Sequence, residues 1–451
     1  MNQASHTAVP LAAGQRALVL GLGRTGLSCA RYLHGKGLAV RVADTRAEPP
    51  GSAALREQVP QAELVTGTFR DALLDDVAQV VISPGLSVRE PVAVEARRRG
   101  LPVVGDIELF AHEAQAPVAA ITGTNGKSTV TALLAELANA GGRPAIAGGN
   151  LGEPALDLLQ GPVPSLYVLE LSSYQLETTH SLRTVVATVL NVTPDHLDRY
   201  DSLDDYAAAK ARIFDGCDVA VVNADDTRVR AMPQAGQRVL SFSLVDPSAD
   251  YFLAREPEPV LTCRGEPLAP LAALRLQGEH NAANALAALA MCEALQLPRA
   301  PVLDALASFG GLPHRAQWVA DVGGVRFVND SKGTNVGATI AAVAGLAGPL
   351  VLIAGGDGKN QDFGELQPAC RGKVRHVVLI GRDAPRLAAA FAGVCSTERA
   401  ADMRAAVAAA RAAARVGDTV LLSPACASLD MFRDYAHRGD EFAAAVRSLA
   451  G

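Results

Sequence analysis

The sequence predicts an α/β protein of three domains, each built on a parallel sheet with crossover helices. Three observations carry this. Short apolar runs alternate with helix-forming stretches along all 451 residues, which is the grammar of βαβ units. Two glycine-rich turns, at 21–26 and 123–126, each follow such a run. Further runs end in polar loops, at the strand ends where open α/β sheets hold ligands. The length allows roughly two to four domains. Boundaries near 106 and 312 divide the chain into 1–106, 107–312 and 313–451.

The elements follow in order. Residues 17–20, 39–43 and 80–82 read as strands of the first block, the second ending at Asp44 and the third at Ser83-Pro84-Gly85. In the second block, 118–121 is a strand, 122–128 a loop and 129–140 a helix. Strands at 167–169, 187–190 and 219–222 come after it. The third block holds strands at 325–328, 350–353, 376–380 and 419–422. The uncharged stretch 333–356 is long enough to raise a membrane span. Gly345, Gly348 and Pro349 interrupt it, and it ends in Leu350-Val351-Leu352-Ile353. It therefore reads as helix, turn and strand, with no membrane insertion. Alanine-rich stretches such as 401–414 form helices readily and carry no chemistry.

Composition bounds the function. Hydrophobic residues make up 49% and charged residues 20%, with a net charge of −6 and no basic run. Extended nucleic-acid binding is excluded, although a local anion pocket is compatible. Seven scattered cysteines with no CxxC pair read as reduced thiols of a cytoplasmic protein. The first residues lack a basic segment followed by a long apolar one, so no signal peptide is expected. A monomer is the default expectation.

The strongest motif is Gly123-Thr124-Asn125-Gly126-Lys127-Ser128-Thr129. Glycines turn backbone N–H groups toward phosphate oxygens, and a helix N-terminus adds its positive end. Lys127 reaches the outer phosphates of ATP, and Ser128 offers a hydroxyl to Mg²⁺. The strict GxxxxGK[ST] pattern would put glycine where Ile121 stands, so the loop is a variant. The turn Gly21-Leu22-Gly23-Arg24-Thr25-Gly26, with Asp44 ending the next strand, fits a dinucleotide fingerprint. Alone it suggests an NAD(P)-dependent oxidoreductase, but any pyrophosphate nucleotide fits, a UDP-sugar included. A tight turn without a ligand is the plainer alternative.

Glu170 ends a strand beside the phosphate loop and is placed for Mg²⁺. His196, between Asp195 and Asp198, suits a ligand or an orienting group, although lone histidines are usually neither. Ser202-Leu203-Asp204-Asp205 opens a helix running to about residue 214. Leu203, Tyr206, Lys210 and Ile213 recur at helical spacing, so Lys210 faces inward. A desolvated lysine has a lowered pKa and can take up CO₂ as a carbamate; a lysine snorkelling from the core rim is the alternative. Asn281 and Asn284 share a helical turn, suited to a base edge or to capping. Arg315 stands at the entrance of the third block, where it can clamp phosphate. Asp330-Ser331-Lys332-Gly333-Thr334-Asn335, Gly355-Gly356-Asp357-Gly358-Lys359-Asn360 and Ser423–Asp430 each follow a strand. Their lysines and hydroxyls suit a small dicarboxylate.

These motifs, in this order over essentially the whole chain, resemble the Mur ligase family. The resemblance implies a Rossmann-like UDP-binding domain, a central P-loop ATPase domain and a Rossmann-like amino-acid-binding domain. Turn 21–26, Ser83-Pro84-Gly85, Gly355 to Lys359 and Ser423 to Asp430 look like the members that add D-glutamate to UDP-N-acetylmuramoyl-L-alanine. Other Mur ligases and folylpolyglutamate synthases are the nearest rivals. By resemblance, Lys127, Glu170, His196 and Lys210 are catalytic. Ser128, Glu170, His196 and a carbamylated Lys210 hold Mg²⁺, with two ions expected. Residues 123–129, Asn284, Arg315 and Asp330 bind ATP. Arg24, Thr25, Asp44, Thr45, Arg46 and Ser83 surround the UDP moiety, with Asn150 and Gln175 near the muramoyl–alanine part. Lys332, Thr334, Lys359, Ser428, Leu429 and Tyr435 surround D-glutamate. Gly333 and Tyr435 depart from the Ala and Phe usual in the family. The implied reaction passes through an acyl phosphate, with third-domain closure excluding water.

Overall fold

The computed structural model describes residues 12–193, 195, 199–276, 278–346, 348–358 and 361–449. The chain forms two compact units, Met1–Pro270 with Ala283–Leu306, and Leu271–Ala282 with Ala307–Gly451. Among the described residues the first unit carries two sheets and the second carries one.

In the first unit, a five-stranded sheet has Arg16–Leu20 at its centre. Ala39–Asp44 and Val77–Ile82 flank it, and Glu63–Thr66 and Val103–Val104 form the edges, all parallel. Ala17 to Leu20 are fully buried. A parallel strand covered on both faces needs such a run of apolar side chains. The sheet order places the Arg16–Leu20 and Val77–Ile82 strands side by side, so turn 21–26 and Ser83-Pro84-Gly85 emerge together.

The nine-stranded sheet continues this logic. Val118–Thr122 pairs in parallel with Leu166–Glu170 on one side and Val186–Val189 on the other. Helix Lys127–Ala140 follows the central strand. The helix expected from 203 to 214 is α-helical over Leu203–Ala211 and finishes as a 3₁₀ turn at Arg212–Phe214. The Ser202 hydroxyl caps it by accepting the Asp205 N–H at 3.1 Å. Not foreseen was the far end of the sheet, where Tyr251–Ala254, Val260–Cys263 and Glu266–Pro270 form an antiparallel meander. Its strands are four or five residues long, with Pro257 and Pro259 between the first two and Pro267 and Pro270 in the third, which hides their alternation.

In the second unit, Val325–Asn329, Thr419–Leu422, Leu350–Gly355, Val374–Ile380 and Ser396–Arg399 run parallel, and Gln317–Val322 adds an antiparallel edge. The uncharged stretch is helix Val336–Gly345 followed by the fully buried strand Leu350–Gly355. Among the described residues no helix is long and apolar enough to cross a membrane.

Candidate active site

The phosphate loop leaves the middle of the nine-stranded sheet. Gly126 takes φ +86° at the N-cap of the following helix, and a β-carbon there would lie 2.5 Å from Asn284 Oδ1. Only glycine fits, both sterically and conformationally. Asn191, which ends its strand without announcing a role, locks the loop. Its carbonyl accepts the Thr124 N–H (2.9 Å), its Oδ1 accepts the Asn125 N–H (2.8 Å), and its amide donates to Asn125 O (3.1 Å).

Two lysines converge on this loop. Lys127 Nζ donates to the carbonyls of Gly123 and Thr124, each at 2.9 Å, and Lys210 Nζ donates to the same Gly123 carbonyl at 2.9 Å. Lys210 lies over the Tyr206 ring, 4.5 Å from its centroid, and is buried as its helical spacing predicts. Burial first, and the Lys127 ammonium second, push its amine down to about 7, against the opposing pull of Asp195 and Glu170. Near neutral pH a substantial fraction is therefore unprotonated and nucleophilic.

Glu170 is buried at the end of the neighbouring strand. Its Oε1 accepts Asn150 Nδ2 at 2.6 Å, while its buried Oε2 has no hydrogen-bond partner among the described residues. An orphaned carboxylate oxygen in a dry site is costly unless a cation completes it. Glu170 and the buried Ser128 carry the oxygen donors that Mg²⁺ prefers, whereas the Lys210 amine, a nitrogen, is not such a donor as it stands. His196 lies outside the described residues.

On the carboxyl side of both sheets of this unit lies a cavity of about 480 Å³. Arg24, Thr25, Asp44, Thr45, Arg46, Ser83, Asn150 and Gln175 all line it, with Phe69, Leu86 and Pro154 supplying apolar walls that the sequence reading did not include. Asp44 is no free acceptor for a ribose. Its Oδ2 takes Leu22 N (2.7 Å) and Arg46 Nη2 (2.6 Å), and its Oδ1 takes the N and Nε of Arg46 (2.9 and 2.8 Å). The Arg46 guanidinium, helped by these amides, holds the Asp44 carboxyl down at about 2 despite burial. Asp44 thus shapes the cavity by fixing the turn and Arg46. Gln175 is similarly engaged, donating to Asp106 Oδ2 (2.9 Å) and accepting from Ser172 N (3.1 Å) in a capping box.

In the second unit, Val325–Asn329, Thr419–Leu422 and Leu350–Gly355 are adjacent interior strands, and the loops after them gather at the carboxyl end of the sheet. Asp330 accepts Ser423 Oγ (2.8 Å) and Ala316 N (3.2 Å), and burial pushes its carboxyl up to about 6. Lys332 Nζ lies 5.1 Å from the Tyr435 ring centroid. Arg315 and Thr334 are partly buried, Ser428 is buried, and Leu429 is 72% exposed. Lys359 lies outside the described residues. A methyl group on Gly333 would come within 2.6 Å of Asp330 Oδ2 and 2.8 Å of Ser423 Oγ, so glycine leaves room for that hydrogen bond. The sequence reading missed Arg438. Fully buried, it donates to Ser331 Oγ (3.0 Å), Ser331 O (2.8 Å), Cys426 O (3.1 Å) and Gly355 O (3.5 Å), joining all three loops.

A phosphate loop, a buried carboxylate with an open oxygen and a depressed lysine describe an ATP-using ligase, and sequence comparison agrees. Family models described as the Mur ligase MurD-like N-terminal domain, the Mur ligase middle domain and the Mur ligase glutamate ligase domain match residues 15–105, 121–292 and 314–426. The chain belongs to the Mur ligase family. Among curated proteins it is similar to the UDP-N-acetylmuramoylalanine–D-glutamate ligase of Nitrosococcus oceani, at 53% identity over 96% of each chain. The protein of that name from Aromatoleum aromaticum is 52% identical, over 97% of this chain and 98% of its own. The fold resembles the crystal structure of UDP-N-acetylmuramate-alanine ligase from Thermotoga maritima (TM-score 0.59, 19% identity, 96% of this chain and 99% of that one). A structure of UDP-N-acetylmuramoyl-L-alanyl-D-glutamate–2,6-diaminopimelate ligase is comparable (TM-score 0.59, 21% identity, 91% and 92%).

Proposed function

We propose that the chain joins D-glutamate to UDP-N-acetylmuramoyl-L-alanine at the expense of ATP, a step of peptidoglycan precursor synthesis. One observation carries the mechanism. Asn150 lines the cavity and also bonds Glu170, so the cavity ends where the phosphate loop and the two lysines meet. A sugar nucleotide held by the glycine turn, with Arg24, Thr25, Thr45, Arg46 and Ser83 around its UDP, directs its alanyl carboxylate to that end.

A carboxylate is a poor acyl donor because oxide would have to leave. Its oxygen attacks the γ-phosphorus of ATP, the bond to the β-phosphate breaks, and ADP departs. The amine of D-glutamate then attacks the acyl phosphate carbonyl. Phosphate leaves and the amine loses a proton. The chain supplies positioning and charge neutralisation. Residues 123–129 cradle the triphosphate, Lys127 exchanges its loop carbonyls for phosphate oxygens, and Asn284, Arg315 and Asp330 hold the nucleotide. Lys332, Thr334, Lys359, Ser428, Leu429 and Tyr435 receive the dicarboxylate. Mg²⁺, two ions in this reading, would be held by Ser128, Glu170, His196 and Lys210 and would neutralise phosphate charge. The neutral Lys210 amine adds CO₂, forming an N–C bond and releasing a proton, which turns a neutral amine into an anionic carbamate. The working compartment in this reading is the cytoplasm, where ATP is available and thiols stay reduced.

Phosphate release from ATP and Mg²⁺ with UDP-N-acetylmuramoyl-L-alanine tests the assignment, with D-glutamate, L-glutamate, L-alanine and meso-diaminopimelate added in turn. Turnover should require the sugar nucleotide and D-glutamate together. Turnover with another amino acid alone would move the chain to a sister reaction. Silence with all of them, joined to NAD(P)H binding, would favour a dehydrogenase.

A further inference from the structure

Arg199, ahead of helix Leu203–Ala211, reaches the cavity wall. Arg199 Nη1 donates to the carbonyl of Pro84 at 2.9 Å, and Nη2 pairs with Glu177 Oε2 at 3.1 Å. Its guanidinium carbon lies 3.7 Å from the Tyr174 ring centroid, and the side chain is only 12% exposed. Pro84 lines the sugar-nucleotide cavity. Behind the arginine an aromatic row runs toward the phosphate loop. Tyr174 stacks on Tyr200 (6.1 Å), Tyr200 tilts against Tyr206 (5.2 Å), and the Tyr206 hydroxyl lies 3.4 Å from Thr124 Oγ1. Lys210 sits over the last ring.

We propose that Arg199 is a positioning residue for the ligation. It holds the cavity wall at Pro84 in register with the aromatic row that leads to the Lys210 helix, so that a seated sugar nucleotide presents its carboxylate where Lys210 and the phosphate loop act. This rests on the substrate reading above and adds a residue to it. The physical case is the planar guanidinium. It meets a carbonyl, a carboxylate and an aromatic face at once, which the point charge of a lysine does not. A second tether joins the same segments at the surface, where Arg89 grips Asp201 bidentately at 2.8 and 2.9 Å. Both of its side chains are mostly exposed, and solvent weakens such a pair. The buried tether therefore sets the register.

The test uses the full-length chain under steady-state conditions. Arg199→Ala should lose about 10- to 100-fold in kcat/KM for UDP-N-acetylmuramoyl-L-alanine, the cost of a charged hydrogen-bonding group. Its KM for the sugar nucleotide should rise while its KM for ATP stays within about twofold of wild type, and millimolar guanidinium should restore part of the loss. Arg199→Lys should fall between, and Arg89→Ala should match wild type. Partial unfolding would lower kcat with each substrate alike, leave the KM values unmoved and resist guanidinium. That pattern, or an unchanged KM for the sugar nucleotide in Arg199→Ala, would overturn the proposal. A wild-type chain without turnover on these substrates removes the substrate reading itself, and the positioning role falls with it.

Discussion

Lys210 in the first unit and Arg438 in the second are both fully buried cations on the inward face of a helix, and they are treated in opposite ways. Lys210 has one carbonyl, an aromatic face and a second ammonium nearby. Arg438 has three backbone carbonyls and a hydroxyl. Burial lowers the pKa of both, but Lys210 reaches about 7 while Arg438 stops at about 10 and stays charged at neutral pH. The under-satisfied cation gives up its proton near neutral pH, whereas the well-satisfied one is a structural rivet.

Exchanging their fates breaks that contrast most directly. Lys210→Ala should reduce turnover by about 10³-fold, the scale of losing a charge stabiliser in a closed site. Added short carboxylic acids should recover part of it by standing in for the carbamate. Full activity of the alanine variant in a phosphate-release assay would end the catalytic reading. Arg438→Met should leave the Lys210 site intact but destabilise the second unit by about 3 kcal/mol in urea unfolding, because several buried acceptors lose their donor. An unchanged midpoint would mean that the three loops hold themselves.

Asp106 sharpens the contrast with a buried anion. It is fully buried, its Oδ2 accepts Gln175, its Oδ1 has no hydrogen-bond partner among the described residues, and burial pushes its pKa up to about 6. The folded state thus binds a proton that the unfolded chain has already released between about pH 4 and 6. Stability should fall as pH rises through that window, by at most ~3 kcal/mol. Asp106→Asn should flatten this part of the stability profile and be neutral to stabilising at pH 8. Asp330, likewise raised to about 6, keeps part of the slope in the variant, so a profile as steep as that of wild type would assign the proton elsewhere. The smallest effect should be kinetic. Activation of apo enzyme by bicarbonate should grow as pH rises through about 7, where the Lys210 amine loses its proton, and a flat response would argue against CO₂ uptake there.

What the sequence discloses about these sites depends on range. Lys210 is legible because Leu203, Tyr206 and Ile213 mark its helical face locally. The same spacing, Arg438 to Phe442 to Val446, would have exposed Arg438, but the helix was read only for Tyr435. Asp106 looks like an ordinary first-turn acid, since its burial depends on Gln175, 69 residues away. Asn191 is equally mute, because its partners lie on a loop 66 residues earlier. The alternating strands and helices of both units were plain from apolar runs. The proline-broken meander was not, because its pairing is decided by neighbours rather than by its own pattern.

That meander has a consequence for how the protein behaves in a crowded solution. The outermost strand, Glu266–Pro270, opposes Pro267 to Thr262 and Pro270 to Val260. Prolines have no N–H to offer a further strand, and Glu266 adds charge at the rim. A long, mostly parallel sheet would otherwise be a template on which another chain could zip. At this end of the nine-stranded sheet two of the last strand's five residues have no N–H to donate, which blunts that edge against further pairing.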